Sequence, residues 1–459
     1  MLTRSVLWRS TLWLLAILWA TVSQAATAQE RFSHEQLQED LSSLQDVINR
    51  THPDLRHSTN KVELARALDA VRRHLNQDMT RDEAWKQFAT LNPVLADAHL
   101  FVSFPDWRAD SSAYLARGGA FFPYEVYVDS TGQPFIRAKL GGASTSLAGA
   151  RIDRIDGLDA RQVTRTLLAR VHGDTPAFRS ELLSRRWWFY YWKLYGDRTA
   201  CDLVLAKKTN ASIHVPGSRV TPVLLADEAS FDRQFRIELL PEKSALLTIS
   251  TFSWPDEEMY FEFTRKAFAT MRDAGVRTLV IDIRANGGGD DAFWMKGILA
   301  EIATEPYRWG STYRKRIIEK YRDEGEETGD VVSGTIGTWI QPELDNPARF
   351  AGKTYLLVGP STYSSAILFG NVMQDFGFGL VAGTGGSARS TQSGGIEPFT
   401  LPHTGLVVWS PRFVLVRPSG AVTPALFEPD IPLRENPYRP RAAIDALLSR
   451  LHASENAAP

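Results

Sequence analysis

The hydroxyl-dense segment Ser361-Thr-Tyr-Ser-Ser-Ala366 lies between an apolar run, Tyr355–Val358, and a segment that reads as a helix, Ile367–Phe376. A buried strand, a polar turn and a helix form the setting in which many α/β enzymes hold a nucleophile. The chain bends sharply there, the hydroxyl is exposed at the C-terminal end of the strand, and helix N–H groups face developing negative charge. Serine and threonine are also ordinary helix N-caps, and this segment taken alone favours capping. A second segment, Arg284-Ala-Asn-Gly-Gly-Gly-Asp-Asp291, follows the apolar run Arg277–Ile283 and opens another helix. Three glycines let the backbone approach a ligand and aim N–H groups at one point. The segment is not G-x-G-x-x-G and has no Gly-Lys-Ser/Thr ending, so a nucleotide cradle has little support. An oxyanion hole is the other use of such a turn, with Asp282 and Asn286 placed to orient it; a plain tight turn is the bland alternative.

These turns need elements to hold them. Residues 31–96 carry helical periodicity, with Leu37, Leu41, Leu44, Val47 and Ile48 at three- and four-residue steps and capping boxes at Ser33–Gln36 and Thr80–Glu83. Residues 120–237 read as short strands, with a hairpin at Asp129–Gly132 and one helix over Arg161–Val171. The cluster Trp187–Trp192 reads as core or interface, and Leu203–Leu240 returns to strands. From Ser244 strand and helix alternate, which predicts a sheet with helices on its faces. Tyr313–Gly334 reads as a charged, exposed excursion, and Ala453–Pro459 as a frayed tail.

At 459 residues the chain is long enough for two or three domains, and its net charge of −1 gives no basic bias toward nucleic acid. The single cysteine, Cys201, excludes an internal disulfide framework and sits in an alternating apolar run, the mark of a buried structural thiol. The nine histidines show no metal-ligand spacing, and no cofactor motif stands out. Arg4 and Arg9 precede an apolar stretch, Thr11–Val22, and small residues follow over Ser23–Ala28. This predicts a cleaved signal peptide, a periplasmic or secreted protein, and no membrane span once the segment is removed.

The segment Val280-Ile-Asp-Ile-Arg-Ala-Asn-Gly-Gly-Gly289 resembles the D-[LIV]-R-x-N-x-G-G signature of the tail-specific, or carboxyl-terminal processing, serine protease family. Thr362–Ala366, with Phe369 and Met373–Asp375, is similar to that family's nucleophile turn and following helix. Gly383-Thr-Gly-Gly386 and Leu426-Phe-Glu-Pro-Asp-Ile431 resemble its later glycine turn and closing element. Together the four motifs span Ala245–Leu433 in the family's order. The resemblance implies Ser364 as nucleophile, with oxyanion donors from Ser365 and from Gly287 or Gly288. It also implies a ββα-spiral, crotonase-like core.

Many family members pair the serine with a lysine shortly after the glycine turn. Here that place falls at or near Arg389, and no lysine follows Ser364 anywhere. Arginine stays protonated and cannot act as a base. Leu95-Ala-Asp-Ala-His-Leu-Phe101 resembles the D-G-H-T element of the tricorn-like, histidine-containing branch, which implies His99 as the base. The third member stays open between Glu428 and Asp97, with Asp282 weaker. Asp97 is counted against because neighbours two apart on an extended segment point to opposite faces. His403 is the fallback base.

The expected fold is thus α/β (α+β multidomain). Residues 1–28 are the signal peptide, 29–110 a helical domain, 111–240 a β-rich module of degenerate PDZ-like type, 241–440 the catalytic domain, and 441–459 a C-terminal helix and tail. The expected function is an exported serine peptidase acting on peptide or protein substrates near their C-termini, with no cofactor or metal. The alternative is an inactive family member that binds a peptide or small ligand in the old cleft, motivated by the missing lysine. An acyl-CoA enzyme is a weaker third reading, since that cofactor is cytosolic.

Overall fold

The computed structural model describes residues 30–206, 212–347 and 349–456; the expected signal segment lies outside them. Both capping boxes form. Ser33 and Gln36 start the helix His34–Thr51, and Thr80 and Glu83 start Arg81–Phe88. The helix Lys61–His74 lies between them. The periodic Leu37, Leu41, Leu44, Val47 and Ile48 are all buried, so amphipathic burial holds these helices as the spacing predicts. The third helix does not end cleanly at Phe88. It passes through a 3₁₀ turn at Ala89–Leu91 into a short helix, Asn92–Leu95, and stops at Ala96, which takes the left-handed φ of 48°.

That stop is what positions the next segment. Asp97–Leu100 forms a tight turn, and Phe101–Ser103 then pairs antiparallel with Val407–Trp409 of the long strand Val407–Leu415. The helical N-terminal part is thereby stitched to the C-terminal part, with the turn at the seam.

Between them stand the hairpin Tyr124–Val128 and Pro134–Lys139 and a four-stranded antiparallel sheet containing Ile152–Ile155 and Ala200–Leu205. The aromatic cluster follows a kink at Arg186 (φ −126°, ψ 22°) in the helical segment Pro176–Tyr195, and Trp187 and Trp188 are fully buried. Cys201 is buried. The expected run of strands over 203–240 is interrupted by helical turns at Val223–Glu228 and Phe231–Gln234.

The C-terminal part is built on a six-stranded sheet in the order Phe235–Leu240, Ser244–Ile249, Thr278–Asp282, Lys353–Val358, Leu380–Gly383, Ile431–Pro432. The first pair is antiparallel and the rest parallel. Both faces are covered, as a parallel sheet requires. Phe268, Met271, Phe369 and Val372 belong to the core that includes Leu279, Ile281 and Leu356. Ile444, Leu447 and Leu451 pack with Val280, Tyr355 and Leu357. Those three lie on the helix Ala442–Asn456, which runs into the segment read as a frayed tail.

A second sheet stands beside it. The charged excursion contributes a hairpin, Thr312–Arg316 with Val331–Thr335, and it pairs with Val407–Leu415. Val407–Leu415 also pairs with Gln392–Thr400. Helices and several sheets together make a mixed α/β, α+β architecture. No described helix is long and apolar enough to cross a membrane.

Candidate active site

Ser364 sits where a central parallel strand, Lys353–Val358, hands over to the helix Ser365–Asp375. The turn is pinned from both sides. Thr362 Oγ1 accepts from the Gly359 N–H at 2.9 Å and donates to the Ile283 carbonyl at 3.0 Å, while the Tyr363 N–H donates to the Asn286 carbonyl at 3.1 Å. The Ser364 carbonyl accepts the helix's first bonds, from Ile367 and Leu368. The residue itself is held at φ 56°, ψ −127°, a region that costs a side-chain-bearing residue on the order of 1–3 kcal/mol and persists only where its surroundings over-determine it. Ser364 is the N-cap residue, yet its hydroxyl caps nothing. The neighbouring hydroxyls are committed elsewhere: Ser365 Oγ to Asp291 and the Trp294 indole, Ser361 Oγ to Glu181.

The glycine loop packs against this turn. A Cβ at Gly288 (φ 102°) would lie 2.6 Å from Ser364 Cβ, and one at Gly289 (φ 140°) would lie 2.1 Å from the Phe252 carbonyl oxygen. Only glycine fits either place. The fully buried Asn286 ties the loop, accepting from the Gly288 N–H at 2.8 Å and donating to the Ile249 carbonyl at 3.1 Å. Gly288 is therefore corrected as an oxyanion donor, because its N–H is already taken. The N–H groups of Gly287 and Ser365 donate to no protein group among the described residues.

The Asp97–Leu100 turn brings His99 Nε2 to 3.0 Å from Ser364 Oγ, across 265 residues. On the other side of the ring, Nδ1 is 3.0 Å from Ser393 Oγ, and Ser393 Oγ donates to Asp97 Oδ1 at 2.9 Å. This chain fixes the tautomer. The single Ser393 proton goes to Asp97, so Ser393 can only accept from the ring. Nδ1 therefore carries the hydrogen, and the Nε2 lone pair faces the Ser364 hydroxyl. Asp97 Oδ1 also accepts from the His99 N–H at 2.7 Å.

The expectation that Asp97 would point away from His99 fails because the segment is a turn, not extended strand; the left-handed Ala96 folds it back. Ser393 carries no motif that would have marked it. The other candidates lie apart. Glu428 is exposed beside the Gly385–Gly386 turn, Asp282 is paired with Arg284, and His403 Nε2 lies 2.7 Å from Glu39 Oε2.

Charges buried around the ring set its chemistry. Burial pushes the His99 pKa below the ordinary 6.5, with the Asp97 charge and Ser393 pulling the other way. Burial also acts against the Asp97 carboxylate. The interaction with His52 and the nearby His99 and His57 outweigh it, so its pKa lies below the usual range. Asp97 Oδ2 and His52 Nε2, 3.9 Å apart, are both without a hydrogen bond. The second buried acid, Asp174, moves up, through burial and then the charge of Asp97. Two neighbouring carboxylates are thus driven apart, and Asp97 is the one that keeps its charge.

Asp174 accepts from Tyr363 Oη at 2.7 Å and from the Ala98 and Arg389 N–H groups. Arg389, near the place a lysine would take, donates to the Ala96 carbonyl at 2.8 Å and lies 3.4 Å from Asp174 Oδ1. It braces the histidine turn and faces no reacting atom. A cleft of about 920 Å³ between Arg81, Asp110, Trp192 and Lys193 shares no residue with this site. A cleft of about 450 Å³ beyond Gly287 and Gly288 adjoins it.

Residues 243–433 match the family model described as Peptidase family S41. The match takes in the glycine loop, Ser364 and Ser393, and leaves Asp97 and His99 outside it. Among solved structures the chain is similar to mature CPAF complexed with lactacystin, at 15% identity and a TM-score of 0.65, over 91% of this chain and 97% of that one. It is likewise similar to mature CPAF at 16% identity and a TM-score of 0.64, over 91% and 96%. At such identities the likeness shows a shared fold. A comparison with curated proteins finds no match.

Proposed function

We propose how this serine-type peptidase hydrolase, whose residues 243–433 form a peptidase family S41 segment, cuts its substrates: Ser364 attacks the scissile carbonyl while His99 takes its proton. The observation that carries this reading is the 3.0 Å contact between His99 Nε2 and Ser364 Oγ, with the lone pair on the correct nitrogen. As the tetrahedral intermediate forms, its oxygen is received by the Gly287 and Ser365 N–H groups. Removing one donor of this kind typically costs about 3 kcal/mol. The imidazolium is held through Nδ1 by Ser393, whose own proton points at the ionised Asp97. His99 then protonates the leaving amine, and water repeats the sequence on the acyl-enzyme. This is a histidine-based rather than a lysine-based mechanism, the reading that the tricorn-like resemblance implies. The missing lysine that motivates an inactive binding module is answered by His99, a base within reach of the serine.

Ser393→Ala leaves the Nδ1 hydrogen without its acceptor and frees the ring to turn. A wrong tautomer in a serine triad costs about 10⁴-fold in kcat. With Asp97 still nearby, we expect a fall of about 10²- to 10³-fold in kcat and little change in KM. Unchanged kcat would remove Ser393 from the chain.

The pH dependence has a definite sign. The base must be neutral, and burial lowers its pKa, so neutral imidazole persists further into acid than in a free histidine. Activity should be present above the folded pKa and lost as pH falls through it, with the acid limb of kcat/KM below pH 6.5. A limb above about pH 7 would speak for a different base.

Export to the periplasm or beyond, and cleavage near substrate C-termini, complete the proposal. They are motivated by the signal-like residues 1–28 and by the carboxyl-terminal processing signature. Protein recovered from the producing cells should begin near Ala26–Gln29, and its cuts in a peptide library, mapped by mass spectrometry, should crowd the C-terminal end. An intact Met1 or evenly spread cuts would contradict these two points.

A further inference from the structure

The cleft beyond the glycine loop is lined by four arginines, Arg108, Arg185, Arg186 and Arg233, against two acids, Asp227 and Glu228. Both acids are already used. Glu228 accepts a two-pronged contact from Arg108 at 2.6 and 2.9 Å, and Asp227 accepts from Arg233 at 2.9 Å. Among the described residues Arg185 reaches only the Ala285 carbonyl, at 3.3 Å, two residues before Gly287. Among the described residues Arg186 has no carboxylate within ion-pair distance, and Glu228, whose charge it feels, is held by Arg108. Arg186 is half-buried, its Nε is sealed from solvent without a hydrogen-bond partner, and its guanidinium lies over the Trp107 ring at 4.3 Å. Arg108 lies at the same distance from that ring.

We propose that Arg186, with Arg185 beside it, forms a subsite for an acidic side chain of the peptide substrate. The inference rests on the peptidase reading and adds a substrate class to it. A desolvated guanidinium without a counter-charge is costly, and a carboxylate satisfies it with two parallel hydrogen bonds. Burial, helped by the neighbouring Arg108 and Arg185 and opposed by Tyr190 and Glu228, brings the Arg186 pKa down, to about 10, so the group stays a cation. The place is productive because Gly287 and Gly288 line the same cleft and Gly288 touches Ser364.

A side chain fits better than a chain terminus because the space does not end at the arginines. Arg108 and Arg186 also line a second cleft of about 360 Å³, walled by Phe101, Phe104, Trp107, Tyr190 and Trp409. A peptide can place a carboxylate on Arg186 and a large apolar residue in that aromatic cleft.

The test uses the full mature chain carrying Ser364→Ala, so binding is read apart from hydrolysis. Fluorescein-labelled short peptide pools, blocked at the C-terminus, carry Glu or Gln at one position in otherwise randomised sequence. A third pool carries Gln and a free terminal carboxylate. Anisotropy should show the Glu pool binding about tenfold tighter than the blocked Gln pool, a preference lost in Ser364→Ala/Arg186→Gln. Equal binding of the Glu and blocked Gln pools overturns the proposal, and that comparison stands even if the Arg186→Gln variant does not fold. A Glu preference surviving in folded Arg186→Gln overturns it too, as does tighter binding of the free-carboxylate pool than of the Glu pool. Failure of the catalytic reading would appear elsewhere, as absent fluorophosphonate labelling of Ser364 in the wild-type chain.

Discussion

Ser364→Ala should bring peptide hydrolysis down by about 10⁴- to 10⁶-fold, the range seen when a serine peptidase loses its nucleophile. The expectation rests on the hydroxyl having no structural duty. It caps no helix N–H, and its one hydrogen bond among the described residues is with His99. The same substitution should therefore leave stability within about 1 kcal/mol of wild type. Alanine inherits the strained φ of 56° that serine already bears, so no new backbone cost arises. Loss of activity with an unchanged melting temperature separates a chemical role from a structural one. Replacing Ser365 should do the reverse. Its hydroxyl joins Asp291 to the Trp294 indole in a buried contact, so its removal falls on the fold first.

The second large effect is expected at His99. His99→Ala removes the base and should cost about 10⁴-fold or more in kcat/KM. Unlike the serine change it should also destabilise, by about 1–3 kcal/mol. The ring packs against Tyr363 with centroids 4.8 Å apart, and its loss leaves Ser393 without the hydrogen it accepts. His403→Ala should leave activity as it was, since that ring bonds with Glu39 among the N-terminal helices. Comparable losses from the two histidine changes would contradict the assignment; the two can be compared at saturating substrate in one assay.

The parts of this account that were legible in the sequence are those with local physical causes. Capping boxes, amphipathic periodicity and the apolar runs at Ser244–Ile249, Thr278–Asp282 and Lys353–Val358 report on their own neighbourhoods, and the elements form where those signals stand. The serine turn and the glycine loop were legible for the same reason, since a sharp turn at a strand end constrains a few consecutive residues.

What escaped was set by distance and by backbone irregularity. Ser393 meets Asp97 across 296 residues, and it lies on Gln392–Thr400, where Gly394, Gly395 and Pro398 obscure the alternation of a strand. Asp97 stays undecided against Glu428 in the sequence because the rule that counts against it is one for extended chain, which does not hold after a left-handed Ala96. Gly288 was read as a free donor because nothing in the order of residues shows Asn286 turning its side chain onto that N–H. Arg389 was legible only as a missing lysine. The structure gives it work of another kind, holding the Ala96 carbonyl and flanking Asp174 so that the histidine turn stays against the serine.

The most direct measurement is the rate and position of labelling by a fluorophosphonate in the wild-type chain and in His99→Ala, with the adduct located by tandem mass spectrometry. A single adduct on Ser364 is expected, with a labelling rate that falls by about 10³-fold or more without the imidazole. An adduct on any other residue, or a Ser364 adduct that forms as fast in His99→Ala, would contradict it.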